Sequence, residues 1–201
     1  GSGRSEQELA EKGYRVVAAP LDPVIARHAA AQGVETVAGD IDAVLAQIES
    51  ERFDCVLFQN VLHLAPDPVA LLAQFRPVLA PSAVMIVQVP NMLCVPALWQ
   101  GVRDRRRLPR RGGYKATGAH FTSPGRIRDW CRQAGLTLDR MVPLLHRKAE
   151  PMRSVMRGFL GLAVAPELVV VARAVSKASA PAGRAARSPG QERAALAGDP
   201  N

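Results

Sequence analysis

Apolar and polar residues recur along the chain with two different periods. Val44, Leu45 and Ile48 fall on one side of a helix, and this spacing predicts an amphipathic helix over 41–50. Phe53–Gln59 then has a continuous apolar centre, which is typical of a strand buried on both faces. Such blocks alternate almost to the end of the chain: helices are predicted at 5–12, 23–32, 41–50, 67–79, 123–134 and 151–162, and strands at 14–19, 35–38, 53–59, 83–89, 136–145 and 167–173.

This alternation predicts an α/β fold of the Rossmann-like, doubly wound type, in which a mostly parallel sheet carries helices on both faces. The end signals of the second predicted helix agree, because Asp22 stands at its N-cap, Pro23 at its first position and Gly33 just past its end. Ligands of such sheets bind beyond the carboxyl ends of the strands. Ligand contacts are therefore expected in the segments at 20–22, 39–41, 59–63 and from 90 onward.

Composition limits the class of protein. A chain of 201 residues with 48% hydrophobic residues suits one packed domain, which we place at 1–175. No apolar run reaches the roughly 18–20 residues that span a bilayer, and no secretory signal is present, so a cytoplasmic location is expected. Cys55, Cys94 and Cys131 are widely separated, so neither a disulfide framework nor a metal site is predicted.

The net charge of +8 is concentrated in two segments. Residues 103–115 carry +6 and residues 176–201 carry +2, so the rest of the chain is balanced. The second segment is rich in Ala, Gly, Pro, Ser and Arg without periodicity, and it is predicted to be a disordered basic tail. The first lies in a long connection at 92–120, which we interpret as a substrate cap loop. Its arginines either recognise an anionic ligand or form a solvated loop.

Five blocks in order carry a family resemblance. They are GSGR at 1–4, FDCVLFQNVLHLAPDP at 53–68, VLAPS at 78–82, VPN at 89–91 and HFTSP at 120–124. In this order and with these gaps, the chain resembles the class I S-adenosylmethionine-dependent methyltransferases, especially their small-molecule branch. The resemblance implies S-adenosylmethionine as cofactor. It also implies a strand ahead of the glycine loop that this sequence does not contain, so two strands should lack their shared neighbour.

The resemblance assigns the amino-terminal site residues to the cofactor. Gly1 and Gly3 correspond to the glycine loop that meets the methionine part, although they also suit a flexible terminus. The acidic residue that binds the ribose in this family is replaced by Pro20. Leu21 and Asp22 lie nearest to that position, and Asp22 is also expected to cap a helix.

The later strands supply the remaining cofactor contacts that the resemblance implies. Asp40 would accept a hydrogen bond from the adenine amino group, or it is only a turn residue in a Gly-Asp pair. Ile41 would flank the adenine ring. Gln59 and Asn60 would line the floor on which the methyl group is presented.

Two histidines are the catalytic candidates. His63 is either a base or substrate contact at the carboxyl edge of the sheet, or a histidine at a helix start with no chemical role. Its near-neutral ordinary pKa makes it the best candidate for a base. His120 is either a substrate-pocket residue or a cap on the following helix, in which Trp130 should face the core.

Three functions follow from these observations. The first is methyl transfer from S-adenosylmethionine to a small-molecule or sugar-like acceptor. The second is a catalytically inactive domain that serves as an interaction module, which Pro20 and the incomplete glycine motif motivate. The third is a nucleic-acid methyltransferase, which the basic loop motivates. Nucleic acid is the least favoured partner, because that loop lacks interleaved aromatic residues for base stacking.

Overall fold

The computed structural model describes residues 4–20, 22–95, 97, 99, 113–145 and 159–175. Several predictions fall outside these ranges. They concern Gly1, Gly3, Leu21, the arginines at 103–111, the tail at 176–201 and most of the predicted helix at 151–162.

Helices and strands alternate as predicted, with small differences in their bounds. The helices are α1 (Arg4–Glu11), α2 (Pro23–Ala31), α3 (Ile41–Ile48), α4 (Pro68–Gln74), α5 (Gly113–Thr117), α6 (Pro124–Gln133) and α7 (Phe159–Val164). The strands are β1 (Val17–Ala18), β2 (Glu35–Thr36), β3 (Phe53–Gln59), β4 (Leu79–Pro90), β5 (Leu136–Leu144) and β6 (Glu167–Ala174). Two short 3-10 helices, Leu62–Leu64 and Arg76–Val78, flank α4.

The helix predicted at 67–79 ends earlier than expected, and the reason is Pro77. Without a backbone N–H, and with a ring that clashes with the preceding turn, proline cannot continue an α-helix. The α-helix stops at Gln74, a 3-10 turn carries the chain through Pro77, and β4 starts at Leu79. The strand predicted at 83–89 is consequently longer than its apolar run indicated.

The strands form two sheets. β1 and β2 pair in parallel, and the larger sheet has the order β3-β4-β6-β5. In the larger sheet β3 and β4 are parallel, while β6 runs antiparallel to both of its neighbours. Three of these four strands therefore share one direction, and the predicted Rossmann-like α/β class is confirmed.

The break between the sheets lies where the resemblance left two strands without a common neighbour. β1 pairs only with β2, and β3 only with β4, so each has a free edge among the described strands. The prediction of a fully buried third strand is wrong for this reason: only Phe58 of β3 is buried, and Leu57 remains 44% exposed. α1, which precedes β1, likewise buries none of its residues.

One main core joins the four-stranded sheet to α4 and α6. Its fully buried members include Leu72 of α4, Met85 and Val87 of β4, and Ile127 of α6. Trp130 of α6 is 7% exposed and belongs to this cluster, as predicted. None of the helices in the described ranges combines the length and apolar character needed to cross a bilayer.

Candidate active site

The chain turns sharply where β3 ends, at Gln59 and Asn60. Gln59 is exposed, and Asn60 takes a φ of 55°. Asparagine is one of the few residues that tolerates this left-handed backbone region, and such conformations cluster at functional sites. The backbone N–H of Asn60 donates to the Gln88 carbonyl at 2.9 Å, which ties the turn to β4. The side-chain Oδ1 of Asn60 is buried and has no hydrogen-bond partner within the described residues.

His63 lies three residues further on, in the 3-10 helix Leu62–Leu64. Burial lowers the pKa of His63, and the charge of nearby His120 lowers it further. The imidazole is therefore neutral at pH 7, so one ring nitrogen carries a free lone pair. Nδ1 is buried and no described residue bonds to it, so nothing in this part of the chain fixes which nitrogen holds the proton.

His120 reaches the same segment from the far side of the long connection. Its backbone N–H donates to the His63 carbonyl at 2.7 Å. Its Nε2 lies 3.2 Å from the Pro66 carbonyl, to which it can donate. The alternative role as a helix cap is wrong, because Ser123 caps α6 by accepting a bond from the Arg126 N–H at 3.3 Å. The structure thus brings the two histidines, which the sequence offered as separate candidates, into one hydrogen-bonded contact.

Asp40 begins α3 and caps it. Its Oδ1 accepts a hydrogen bond from the Ala43 N–H at 2.9 Å, while Oδ2 has no partner in the described part of the chain. Gly39, with a φ of 136°, supplies the turn that sets Asp40 at this helix start. The next residue, Ile41, is partly buried and packs against the main core. An exposed carboxylate beside an apolar side chain is the combination that an adenine edge and ring need.

The loop between β1 and α2 offers fewer side-chain acceptors for a ligand. Asp22 caps α2 and accepts from the Val24 N–H at 2.7 Å, as expected. Pro20 is partly exposed and offers no side-chain acceptor. The free oxygen of Asp22 is the nearest carboxylate oxygen in sequence to the position where the family binds the ribose.

Two buried polar residues, Asn91 just after β4 and Thr122 just before α6, were quoted in the family blocks, but their role was not predicted. Asn91 is 2% exposed, and its amide donates to the carbonyls of Leu162 at 2.7 Å and Ala165 at 3.0 Å. Thr122 is 0% exposed, and its hydroxyl donates to the Pro90 carbonyl at 2.5 Å. The Thr122 bond fixes the segment that carries His120 to the end of β4. The Asn91 bonds hold the end of α7 and the residue that follows it against the same end of the strand. Nothing in the sequence pattern pairs residues so far apart.

The available groups fit S-adenosylmethionine, which presents an ammonium group, an adenine amino group and a sulfonium cation. Such a ligand needs acceptors and partial negative charge. The buried, unpartnered Oδ1 of Asn60 and the free Oδ2 of Asp40 are acceptors of this kind, at the ends of β3 and just after β2. The fit is weakest at the ribose, where Pro20 stands.

An α/β sheet with ligand acceptors at the carboxyl ends of its strands is compatible with several cofactor-binding classes, of which the class I methyltransferases are one. A family model described as a methyltransferase domain matches residues 1–140. The chain therefore belongs to this methyltransferase domain family, and the family's cofactor is S-adenosylmethionine.

Solved structures agree on the fold. An S-adenosylmethionine-dependent methyltransferase from Mesorhizobium loti superposes with a TM-score of 0.58 at 15% identity, over 86% of this chain and 87% of that one. One from Archaeoglobus fulgidus gives 0.58 at 13% identity, over 86% and 81% of the two chains. At such identities the likeness concerns the fold alone.

Curated relatives are more similar in sequence. An ubiquinone biosynthesis O-methyltransferase of Cereibacter sphaeroides is 31% identical over 68% of this chain. The match covers 57% of that relative, so the chain spans little more than half the length of the curated proteins that it matches.

Proposed function

We propose that this protein transfers a methyl group from S-adenosylmethionine to an oxygen atom of a small organic acceptor, with His63 as the general base. The observation that carries the proposal is the position of His63 in the turn just past the carboxyl end of β3, three residues after Asn60. Burial lowers the pKa of His63, which favours the neutral form that a base needs. The O-methyltransferase relative supports oxygen as the atom methylated. A sugar-like acceptor belongs to the same class, because its reactive group is also a hydroxyl.

The cofactor would be held by the residues that the resemblance assigned and that fit its groups. Asp40 would accept from the adenine amino group through Oδ2, and Ile41 would cover one face of the ring. Asn60 would accept a hydrogen bond from the methionine end through its unpartnered Oδ1, with Gln59 beside it. Gly1, Gly3, Leu21 and Asp22 stay proposed contacts by resemblance.

The chemistry that the bound cofactor supplies is an electrophilic methyl group on sulfur. Its transfer would break the carbon–sulfur bond and form a carbon–oxygen bond, while the acceptor hydroxyl would lose its proton to His63. A neutral His63 takes that proton and becomes an imidazolium ion, so charge and atoms balance. The residues around the site contribute alignment and exclusion of water, on which such a direct displacement depends.

The test begins with binding. Calorimetric titration of the full chain with S-adenosylmethionine should give a single site, and Asp40→Ala should weaken it. Absence of heat and of a thermal shift with the full chain would contradict the proposal and favour a non-catalytic interaction domain instead.

Turnover is tested by following formation of S-adenosylhomocysteine with a panel of small phenols, catechols and sugars. His63→Gln should lower kcat by about 100-fold or more, the range of general base catalysis. His28→Gln is the matched control, because His28 is exposed on α2, is not one of the proposed contacts and lies far along the chain from His63. Equal activity of the two variants would exclude His63 as the base.

A further inference from the structure

The turn that carries His63 has few hydrogen bonds of its own and receives others from residues later in the chain. Inside it, the Leu64 N–H donates to the Val61 carbonyl at 2.9 Å, and the Ala65 N–H donates to the Leu62 carbonyl at 3.3 Å. A single 3-10 turn of this kind is weak by itself, since its hydrogen-bond geometry is poor. Other contacts must therefore determine where the His63 side chain stands.

Three carbonyls of this segment accept hydrogen bonds from residues 114–120. The Tyr114 hydroxyl donates to the Leu64 carbonyl at 3.1 Å. The His120 backbone N–H donates to the His63 carbonyl at 2.7 Å, and the His120 Nε2 contacts the Pro66 carbonyl at 3.2 Å. Three hydrogen bonds to four consecutive residues fix the position and the orientation of the turn.

The donors themselves are anchored by stacked rings. The rings of Tyr114 and His120 stack with centroids 4.7 Å apart and an interplanar angle of 21°. The edge-to-face contact of His120 with Trp130 spans 5.5 Å at 80°. Trp130 belongs to the main core, so the rigid interior of the protein supports the donors through two ring contacts.

We propose that Tyr114 and His120 are positioning residues for His63, and that they act by holding the carbonyls of the turn that presents its imidazole. This inference rests on the proposed function, because it takes His63 to be the base. It reassigns His120 from a catalytic candidate to a residue that acts through another. It also gives a role to the short helix α5, whose Tyr114 hydroxyl reaches the Leu64 carbonyl in the turn that follows β3.

The first test is Tyr114→Phe, which removes one hydroxyl and keeps the ring stack. We expect kcat to fall about 10-fold, less than the roughly 100-fold that a 1 Å misplacement can cost, because only one of the three hydrogen bonds to the turn is lost. The KM values for cofactor and acceptor should stay within about 2-fold, since the binding residues are untouched. Ala116→Ser, on the exposed side of the same helix, is the matched control and should leave kcat unchanged.

A second readout does not depend on turnover. The chain has four histidines, and the ring-proton NMR signal of His63 is identified by its loss in His63→Gln. In Tyr114→Phe this signal should shift, and its titration midpoint should rise toward the ordinary value of 6.5 as the turn loosens and burial decreases. An unchanged His63 signal together with unchanged kcat would overturn the proposal.

The two proposals fail in different ways. If His63→Gln retains full activity, the proposed base is wrong, while the NMR signal still reports whether Tyr114 positions the ring. If His63→Gln is inactive but Tyr114→Phe is normal in both readouts, only the positioning role is wrong.

His120 is tested by two substitutions. His120→Gln keeps a side-chain N–H that can reach the Pro66 carbonyl, whereas His120→Phe keeps only the ring stack. We expect His120→Gln to retain several-fold more kcat than His120→Phe. Equal losses would contradict the role given to the Pro66 contact.

Discussion

The Oδ1 atom of Asp40 accepts a hydrogen bond from the backbone N–H of Ala43 at 2.9 Å, so the carboxylate proposed for adenine also begins α3. These two roles use different oxygens and can be separated by mutation. Asp40→Ala should lose about 1 kcal/mol of unfolding free energy, the usual value of an N-cap, and should also lose cofactor affinity. Asp40→Ser should keep most of the unfolding free energy, because serine caps helices well. It should nevertheless bind the cofactor as weakly as Asp40→Ala, because it lacks the carboxylate.

The control for Asp40 is another capping aspartate. Asp67 caps α4 by accepting bonds from the Val69 and Ala70 N–H groups at 3.0 and 2.9 Å. Asp67→Ala should therefore cost about as much stability, roughly 1 kcal/mol. Denaturant unfolding and calorimetric titration with S-adenosylmethionine measure the two quantities. Equal affinity in Asp40→Ala and Asp67→Ala would leave Asp40 with the capping role alone.

Asn60 has a left-handed backbone conformation and a side-chain Oδ1 without a partner among the described residues. Two substitutions distinguish the effect of the backbone on stability from that of the side chain on binding. Asn60→Gly suits the φ of 55° and should change the unfolding free energy by less than about 1 kcal/mol. Asn60→Val should lose about 1–3 kcal/mol, because a β-branched residue is strained there. Both variants should bind the cofactor about 10-fold more weakly if Oδ1 accepts a hydrogen bond from it. Unchanged affinity in Asn60→Gly would show that the side chain makes no such contact.

The lowered pKa of His63 predicts how stability depends on pH. The unfolded chain takes up a proton near the ordinary value of 6.5, whereas folded His63 resists protonation until a lower pH. The unfolded state therefore binds more protons in this window, and the folded state loses stability as the pH falls below about 6.5. Relative to His63→Gln, the native chain should lose unfolding free energy between about pH 7 and 5. Parallel pH profiles of the two proteins would contradict the lowered pKa.

The elements were largely predictable from the sequence, because apolar spacing, capping residues and glycines act locally. The helix predicted at 41–50 and the strand predicted at 53–59 came from period and apolar run alone, and the structure has them at Ile41–Ile48 and Phe53–Gln59. The exposure of β3 was not predictable, because an apolar run shows that a strand can be buried but does not show which strands lie beside it. The end of α4 was misjudged because the pattern continued past Pro77.

The site was predictable to the level of segments rather than contacts. Asp40, Asn60 and His63 became candidates because each follows a predicted strand, and Asn60 and His63 also lie in a family block. The bond between His120 and His63, and the one between Asn91 and Ala165, join residues that lie far apart in sequence. Such pairs depend on how the elements pack, which no local pattern records. The contribution of Tyr114 was missed for the same reason.

The free edge of β3 gives a final prediction about packing. Leu57 in β3 is 44% exposed, whereas Met85 in the neighbouring β4 is 0% exposed. Met85→Ala should lose about 2–5 kcal/mol of unfolding free energy, as buried truncations do. Leu57→Ala should lose about 1 kcal/mol or less, because much of its side chain already contacts water. Denaturant unfolding of both variants gives the comparison. A loss at Leu57 as large as that at Met85 would mean that the edge of β3 is covered in solution, and that this strand has the second neighbour that its apolar sequence predicts.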